Sequence, residues 1–176
     1  KQVSSTVGQT LMHGHPFAEA RFTQANKNIN QLVSCFASGD IEHFMEIVES
    51  EALTLHAMMQ TSIPYFILMR PNTLEVIQRV WQYRKDTKVP LCFTLDAGAN
   101  VHLLYPKTSI AEVQKFIAEE LAQFCEGQHY IHDEVGQLIW DSSIGKALLS
   151  ISLLAVSKVT ALCVFSVSQK AEKASL

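Results

Sequence analysis

Two short apolar runs, separated by a turn that contains glycine, place the strongest constraint on how this chain can fold. The first run is Leu91–Leu95 and the second is Val101–Tyr105. Their length and apolar content predict two neighbouring strands. Asp96 directly follows the first strand, and Gly98 lies in the turn, where it would let the backbone come close to a ligand. The segment therefore predicts a hairpin with one carboxylate at its tip.

Two roles are open for Asp96 on this evidence. An isolated carboxylate at the end of an apolar strand is well placed to act as a catalytic acid or base. An aspartate in a turn can instead accept hydrogen bonds from its own backbone amides and serve only to stabilise the turn. The segment taken alone does not choose between these roles.

Helical periodicity dominates the residues before the hairpin. From Phe17 onward, apolar residues recur at three- and four-residue steps, and Gly39 predicts the end of this first helix. Asp40 is the predicted N-cap of a second helix, which Pro64 closes. The predicted buried face of the second helix is Ile41, Phe44, Ile47, Val48, Leu55 and Met59.

A third helix is predicted after Pro71, with Asn72 or Thr73 as its cap, and Pro90 blocks its continuation. Its predicted inward side is Leu74, Ile77, Trp81 and Arg84.

A fourth helix is predicted after the hairpin. Ser109 and Glu112 have the spacing of a capping box, and the helix should run to about Cys125. A short strand around His129–His132 then completes a small sheet covered by helices. The pattern predicts an α+β fold.

Composition predicts a soluble cytoplasmic domain. The chain has 176 residues, of which 48% are hydrophobic, enough for one domain with a real core. A net charge of -3 without a cluster of lysine and arginine argues against a nucleic-acid-binding surface. The chain opens without the pattern of a signal peptide. It also begins without methionine, inside a predicted strand, which favours a piece of a longer protein.

Neither the cysteines nor the histidines have the spacing of a metal site. The cysteines lack a CxxC pair, which favours reduced core residues over disulfides or metal ligands. The close histidine pairs lack the HExxH pattern and further ligands, so no metal site is predicted. Strand alternation also does not bring Cys92 and His102 together as nucleophile and base. The residues concerned are Cys35, Cys92, Cys125 and Cys163, and the pairs His13 with His15 and His129 with His132.

The tail from residue 137 to 176 has no predicted role. Its segment Ala147–Ser168 carries Lys158 as its only charge and is close to the ~20 residues that span a bilayer. Its serines and the central lysine disfavour a membrane span and favour a buried helix or strand pair. Because the tail is so apolar, it could also pack against a second copy of the chain, which would give a homodimer.

Three motifs follow one another along the chain. They are Lys1–Gly8, Glu51–Ala57 with Thr61–Tyr65, and Phe93–Asn100. In order and spacing they resemble the C-terminal half of the mevalonate diphosphate decarboxylase family, within the GHMP kinase superfamily. The resemblance covers residues 1 to 136 and implies a domain in which helices pack on a small, mostly antiparallel sheet. Ala99 departs from the usual proline, and Val7-Gly8-Gln9 lacks the usual methionine, but neither departure removes a charged or hydroxyl group.

The resemblance implies an ATP- and Mg²⁺-dependent decarboxylase of the mevalonate pathway of isoprenoid biosynthesis. Such an enzyme converts mevalonate 5-diphosphate to isopentenyl diphosphate, carbon dioxide, ADP and phosphate. The resemblance assigns catalysis to Asp96, which could accept the proton of the substrate hydroxyl or align that hydroxyl with the γ-phosphate. The implied substrate-binding residues are Ser4, Ser5, Thr6, Gly98 and His56, with Ser5 the best match to the substrate-contacting serine. For His56 a second role is open, in which the ring only packs in the core between helices.

The chain has no glycine- and serine-rich phosphate loop, which in this family belongs to the N-terminal half. We therefore expect the ATP and Mg²⁺ site to lie mainly outside these residues, and the isolated chain to be inactive. Two other functions stay open. One is a related GHMP kinase that phosphorylates a small alcohol without decarboxylation, and the other is a non-catalytic interaction domain.

Overall fold

The computed structural model describes residues 14–96, 98–134 and 161–167. Within these residues, three helices precede the hairpin: α1 (Ala18–Ser38), α2 (Ile41–Thr61) and α3 (Pro71–Thr87). The hairpin consists of β1 (Cys92–Leu95) and β2 (Val101–Tyr105). A helical segment follows, with α4 (Ile110–Phe116) at its centre, and then come β3 (Cys125–Glu134) and β4 (Ala161–Val167).

The boundary between α1 and α2 is the one that the sequence predicts. Gly39 adopts a left-handed conformation with φ of 75°, and its N–H donates to the Cys35 carbonyl, which ends α1. The Asp40 carboxylate accepts a hydrogen bond of 3.1 Å from the His43 N–H and caps α2. Both predictions are confirmed because each depends only on residues within one turn of helix.

The start of α3 differs from the prediction. Arg70 is the N-cap and Pro71 is the first helical residue, a position where the missing N–H of proline costs nothing. Thr73 lies inside the first turn, and its Oγ1 accepts a hydrogen bond of 3.1 Å from the Arg70 N–H. Asn72 and Thr73 are therefore not the caps.

The buried side of α3 also differs from the predicted one. Leu74 is 49% exposed and Trp81 is 39% exposed, so these two predicted core positions were wrong. Trp81 lies at the edge of the core because its Nε1–H donates to the Glu49 carboxylate across 2.8 Å. The buried residues of α3 are Thr73, Val76, Ile77 and Val80.

The predicted fourth helix is a continuous helical segment of changing pitch. It opens with a 3₁₀ turn at Lys107–Ser109, and Ser109 makes no side-chain capping bond, so the predicted capping box was wrong. After α4 the helix first widens and then tightens. A π-helical turn covers Ile117–Leu121 and a 3₁₀ turn covers Ala122–Phe124.

Within the described residues, four strands form one antiparallel sheet in the order β1-β2-β4-β3. In the hairpin, Thr94 lies opposite His102. β3 is longer than the predicted strand, and its register against β4 shifts between Cys125 and Tyr130. The sheet and the helices packed on it confirm the α+β prediction.

The tail contributes β4 to the middle of this sheet, between β2 and β3. Only residues 161–167 of the apolar segment Ala147–Ser168 are among those described, and they form a strand. The remainder of that segment lies outside the described residues. None of the described helices combines the length and the apolar character needed to cross a membrane.

Two buried clusters hold the hairpin in place. The main core contains alternate residues of β1 and β2 together with residues of α3 and of the helical segment after the hairpin, among them Phe93, Leu103, Val80 and Phe116. The second cluster joins Cys92 to α1 and α2. The end of β1 is therefore held between helices.

The described cysteine side chains lie in the core, as predicted. Cys35, Cys92 and Cys125 are buried, and none of the three is in a disulfide. Burial raises the pKa of the Cys125 thiol to about 11 and raises that of Cys92 as well. These thiols are protonated and unreactive at neutral pH.

Candidate active site

Asp96 brings a carboxylate to the surface at the end of a buried strand. Leu95, the last residue of β1, is 7% exposed, whereas the Asp96 side chain is 46% exposed. Among the residues that the structure describes, no turn amide donates a hydrogen bond to this carboxylate. Nearly half of the Asp96 side chain is thus accessible to a ligand in solution.

His56 holds the main chain of Asp96 from behind. Its side chain lies in α2, is only 1% exposed, and places Nε2 3.1 Å from the Asp96 carbonyl oxygen. A carbonyl oxygen can only accept, so Nε2 carries the proton and donates it. Burial lowers the pKa of His56 below its ordinary value, which keeps the ring neutral at neutral pH.

The position of His56 bears on its predicted role. The resemblance implied substrate contact, with core packing as the other role. The structure places the ring inside the core with its donor already committed to Asp96. Substrate contact by His56 stays a prediction, and the geometry supports a role in fixing Asp96.

Gly98 leaves room for the Asp96 carboxylate. A Cβ atom built on Gly98 would lie 2.9 Å from Asp96 Oδ1, closer than such atoms approach in folded proteins. Any other residue at this position would force the carboxylate to turn. The close approach predicted for Gly98 is therefore an approach to Asp96 itself, while contact with substrate stays a prediction.

The far side of the turn is anchored to α3. The Thr73 hydroxyl, which is fully buried, donates to the Ala99 carbonyl across 2.8 Å. The turn after β1 is thus tied to α2 through His56 and to α3 through Thr73. Two helices from different parts of the sequence fix the backbone that presents Asp96.

His102 is a neighbour of Asp96 that the sequence analysis did not include in the site. Its Nε2 lies 3.7 Å from Asp96 Oδ2, its side chain is 24% exposed, and Nε2 itself is shielded from water. Among the described residues this nitrogen has no hydrogen-bond partner. A buried polar atom without a partner costs about 1–3 kcal/mol. The predicted hairpin contained a usable signal, because the strand pairing places His102 opposite Thr94, two residues before Asp96.

A buried ion pair secures the other end of β1. Glu49 of α2 binds Arg84 of α3, with 2.6 Å between Oε1 and Nη1 and 3.0 Å between Oε2 and Nη2. Arg84 also donates to the Leu91 carbonyl across 2.7 Å. The pair with Glu49 raises the pKa of Arg84 and keeps it charged. Both helices are therefore locked to the residue that leads into β1.

Glu51, the first residue of the second motif, has a structural contact. Its carboxylate is bound by the Arg21 guanidinium and by the Asn28 amide, both from α1. The Asn28 Nδ2 lies 2.6 Å from Glu51 Oε1. This cluster joins α1 to α2 and does not touch Asp96.

The remaining sequence predictions concern residues that the structure does not describe or that do not contact Asp96. Ser4, Ser5 and Thr6 lie outside the described residues, as does His13. The His132 ring pairs with the Gln114 amide across 2.8 Å. Within residues 14–96, 98–134 and 161–167, no group of three or more histidine, cysteine, aspartate or glutamate side chains could hold a metal ion.

The arrangement can hold one exposed carboxylate in a fixed position. Such a group can accept a proton from a hydroxyl or orient it toward an electrophile. The described side chains provide no adjacent nucleophile. The chemistry available is thus general base catalysis or alignment.

The chain is similar to decarboxylases of phosphorylated mevalonate. A family model, the mevalonate 5-diphosphate decarboxylase C-terminal domain, matches residues 1–162. A phosphomevalonate decarboxylase of Haloferax volcanii is 25% identical over 101 residues, which are 57% of this chain and 31% of that protein.

Solved structures of the same group are also similar. The mevalonate diphosphate decarboxylase from Legionella pneumophila has 28% sequence identity and a TM-score of 0.65, over 69% of this chain and 38% of that one. A structure of MDDEF in complex with MVAPP, AMPPCP and magnesium has 27% identity and a TM-score of 0.64, over 68% of this chain and 37% of that one.

The chain spans about a third of the length of these three relatives, between 31% and 38%. The family match extends beyond residue 136 and reaches the start of β4. The match covers most of the chain, including His56, Asp96 and both strands of the hairpin. The chain belongs to the mevalonate 5-diphosphate decarboxylase C-terminal domain family.

Proposed function

We propose that the protein that contains this chain is an ATP-dependent decarboxylase of mevalonate 5-diphosphate, in which this chain supplies the catalytic Asp96. The observation that carries the proposal is the exposed Asp96 carboxylate in a chain of this family, with the Asp96 main chain held by His56 and with room for the carboxylate left by Gly98. Its main chain is fixed and its carboxylate is open to a ligand. That combination suits a group that acts on a bound hydroxyl.

The substrate explains the need for one positioned carboxylate. Mevalonate 5-diphosphate has a tertiary hydroxyl on C3, which is a poor leaving group. Transfer of the γ-phosphoryl group of ATP to this oxygen makes it a good one, and Asp96 accepts the hydroxyl proton or aligns the oxygen for transfer. The C3–O bond then breaks as phosphate leaves. Loss of carbon dioxide from C1 supplies the electron pair of the new double bond in isopentenyl diphosphate.

ATP and Mg²⁺ are proposed to bind mainly through residues outside this chain. The support is the solved relative with MVAPP, AMPPCP and magnesium, of which this chain covers 37%. The described residues lack a group of side chains fit to hold the metal, so we assign none of them to it. We propose that Ser4, Ser5 and Thr6 bind the substrate diphosphate, because hydroxyl donors suit its oxygens.

A second substrate is supported by one specific relative. The Haloferax volcanii protein is a phosphomevalonate decarboxylase, so mevalonate 5-phosphate is the alternative substrate. The same carboxylate would serve both, since C3 and its hydroxyl are identical in the two. The cytoplasmic location, the homodimer and the boundary at residue 136 stay predictions.

The products distinguish these functions. The protein as encoded by its gene is incubated with ATP, Mg²⁺ and either phosphorylated mevalonate, labelled with ¹⁴C in the carboxylate. We expect one labelled carbon dioxide released for each ADP formed, with the diphosphate preferred. A phosphate ester that accumulates without carbon dioxide would instead show a kinase. No turnover of either compound would leave the interaction domain as the better explanation.

A further inference from the structure

His102 Nε2 lies next to Oδ2 of the Asp96 carboxylate, whereas Gly98 lies next to Oδ1. We propose that His102 is a positioning residue, which holds Asp96 Oδ2 by a hydrogen bond from Nε2 and leaves Oδ1 to act on the substrate. The inference rests on the proposed function for its kinetic consequence. The contact itself does not depend on that function.

The sheet brings the two residues together. β1 and β2 pair so that Thr94 faces His102, and alternate residues of a strand lie on the same side of a sheet. Asp96 follows Thr94 by two residues and therefore reaches the same side. The register of the hairpin thus presents the His102 ring to the Asp96 carboxylate.

The state of Nε2 indicates a missing bond. This nitrogen is shielded from water and has no hydrogen-bond partner among the described residues, while the charged Oδ2 of Asp96 lies 3.7 Å away. A charge-assisted hydrogen bond would need the two atoms at about 2.8 Å, so a movement of about 1 Å would form it.

The surroundings of the carboxylate explain what a hydrogen bond from His102 Nε2 to Asp96 Oδ2 would do. Oδ1 lies against Gly98, which provides no side chain to hold it. His56 holds the Asp96 carbonyl and not the carboxylate. Among the described residues, His102 lies next to Oδ2, and a hydrogen bond from its Nε2 would restrain rotation of the carboxylate. A bond at Oδ2 would direct Oδ1 toward a ligand above Gly98.

The first experiment compares substitutions that keep or remove the donor in the protein as encoded by its gene. His102→Gln places an amide N–H near the position of Nε2, whereas His102→Leu fills similar space without a donor. We expect His102→Leu to lower kcat about 10- to 100-fold with KM within about twofold, and His102→Gln to recover most of kcat. His132→Leu, on exposed β3, is the control and should match wild type.

The decisive comparison uses the Asp96→Asn background. If His102 acts through Asp96, His102→Leu should change the residual kcat of Asp96→Asn by less than about twofold. An equal loss in both backgrounds would show that His102 acts independently and would overturn the inference. If His102→Leu does not fold, the comparison is made between His102→Gln and His102→Asn. The shorter asparagine amide cannot reach Oδ2, so equal activities of these two variants would also overturn it.

A measurement without turnover separates this inference from the proposed function. Urea unfolding is followed for wild type, Asp96→Asn, His102→Leu and the double variant. We expect the double variant to lose less stability than the sum of the two single losses, because both remove one contact. Additive losses would contradict the contact. A protein that shows this coupling but releases no carbon dioxide would overturn the proposed function and leave the contact intact.

Discussion

The Nε2–H of His56 is donated across 3.1 Å to the main-chain oxygen of Asp96, so a side chain buried in α2 fixes the residue that ends β1. Forty positions separate the two residues along the chain. The bond uses the carbonyl and leaves the carboxylate exposed. Asp96 is thus held through its main-chain carbonyl, whereas its side-chain carboxylate stays exposed.

Asp96→Asn should lower kcat by about a thousandfold, within the range expected for loss of a general base, because the amide keeps the shape and loses the charge. Substrate affinity and stability should change little. Steady-state kinetics of the protein as encoded, with ATP and mevalonate 5-diphosphate, measure the effect. Asp86→Asn is the control, since the Asp86 carboxylate contacts the exposed Gln82 amide. A variant that keeps more than about a tenth of the wild-type rate would remove Asp96 from this role.

Gly98→Ala should reduce kcat about tenfold or more, with only a small change in stability. The new Cβ would lie 2.9 Å from Asp96 Oδ1, which is too close, so the carboxylate has to turn away. The backbone at Gly98 is not left-handed, so alanine adds no backbone strain there. Gly14→Ala is the matched control, with no atom within 4 Å of its added Cβ. Equal kcat values for the two variants would show that the carboxylate can rotate without consequence.

His56→Leu should destabilise the fold by about 1–3 kcal/mol, because the Asp96 carbonyl loses its buried donor. Urea unfolding measures the loss. His43→Leu is the control at an exposed position of the same helix, and it should stay within about 0.5 kcal/mol of wild type. A loss no larger than that of the control would mean that the bond to Asp96 adds nothing to stability.

Stability should also fall as the pH drops below the ordinary histidine value of 6.5, because burial lowers the pKa of His56 in the folded state. In that range the unfolded chain binds a proton that the folded chain does not, which favours unfolding. The effect ends below the folded pKa. Urea unfolding at about pH 7.5 and 5.5 measures it, and His56→Gln should show a smaller pH dependence than wild type. An unchanged pH dependence would assign the effect to other groups.

Arg84→Met should destabilise the fold by about 3–5 kcal/mol, since it leaves the Glu49 carboxylate buried without its cation. Arg79→Met breaks an exposed pair with Glu75 on the same helix and should cost less than about 1 kcal/mol. Thermal or urea unfolding of both variants checks the difference. Similar losses would show that the pair with Glu49 is no more than a surface contact.

Predictions from neighbouring residues agree with the structure at the boundary of α1 and α2 and in the hairpin, but the caps predicted for α3 and for the helix after the hairpin were wrong. Gly39 ends α1 and Asp40 caps α2, and the hairpin places Asp96 at the end of β1. The inward side of α3 was wrong because Trp81 finds a partner in Glu49, which belongs to another helix. Periodicity marks an apolar stripe but does not show which neighbour covers it.

Local sequence determined the boundary between α1 and α2, the hairpin and the carboxylate at its tip, because caps, turns and strand alternation act over a few residues. Tertiary structure alone decided that His56 holds the Asp96 carbonyl, that Thr73 holds the other side of the turn, and that β4 enters the sheet between β2 and β3. Each of these joins segments far apart in the chain. Such contacts depend on how whole helices and strands pack, and the spacing of residues along the chain does not predict them.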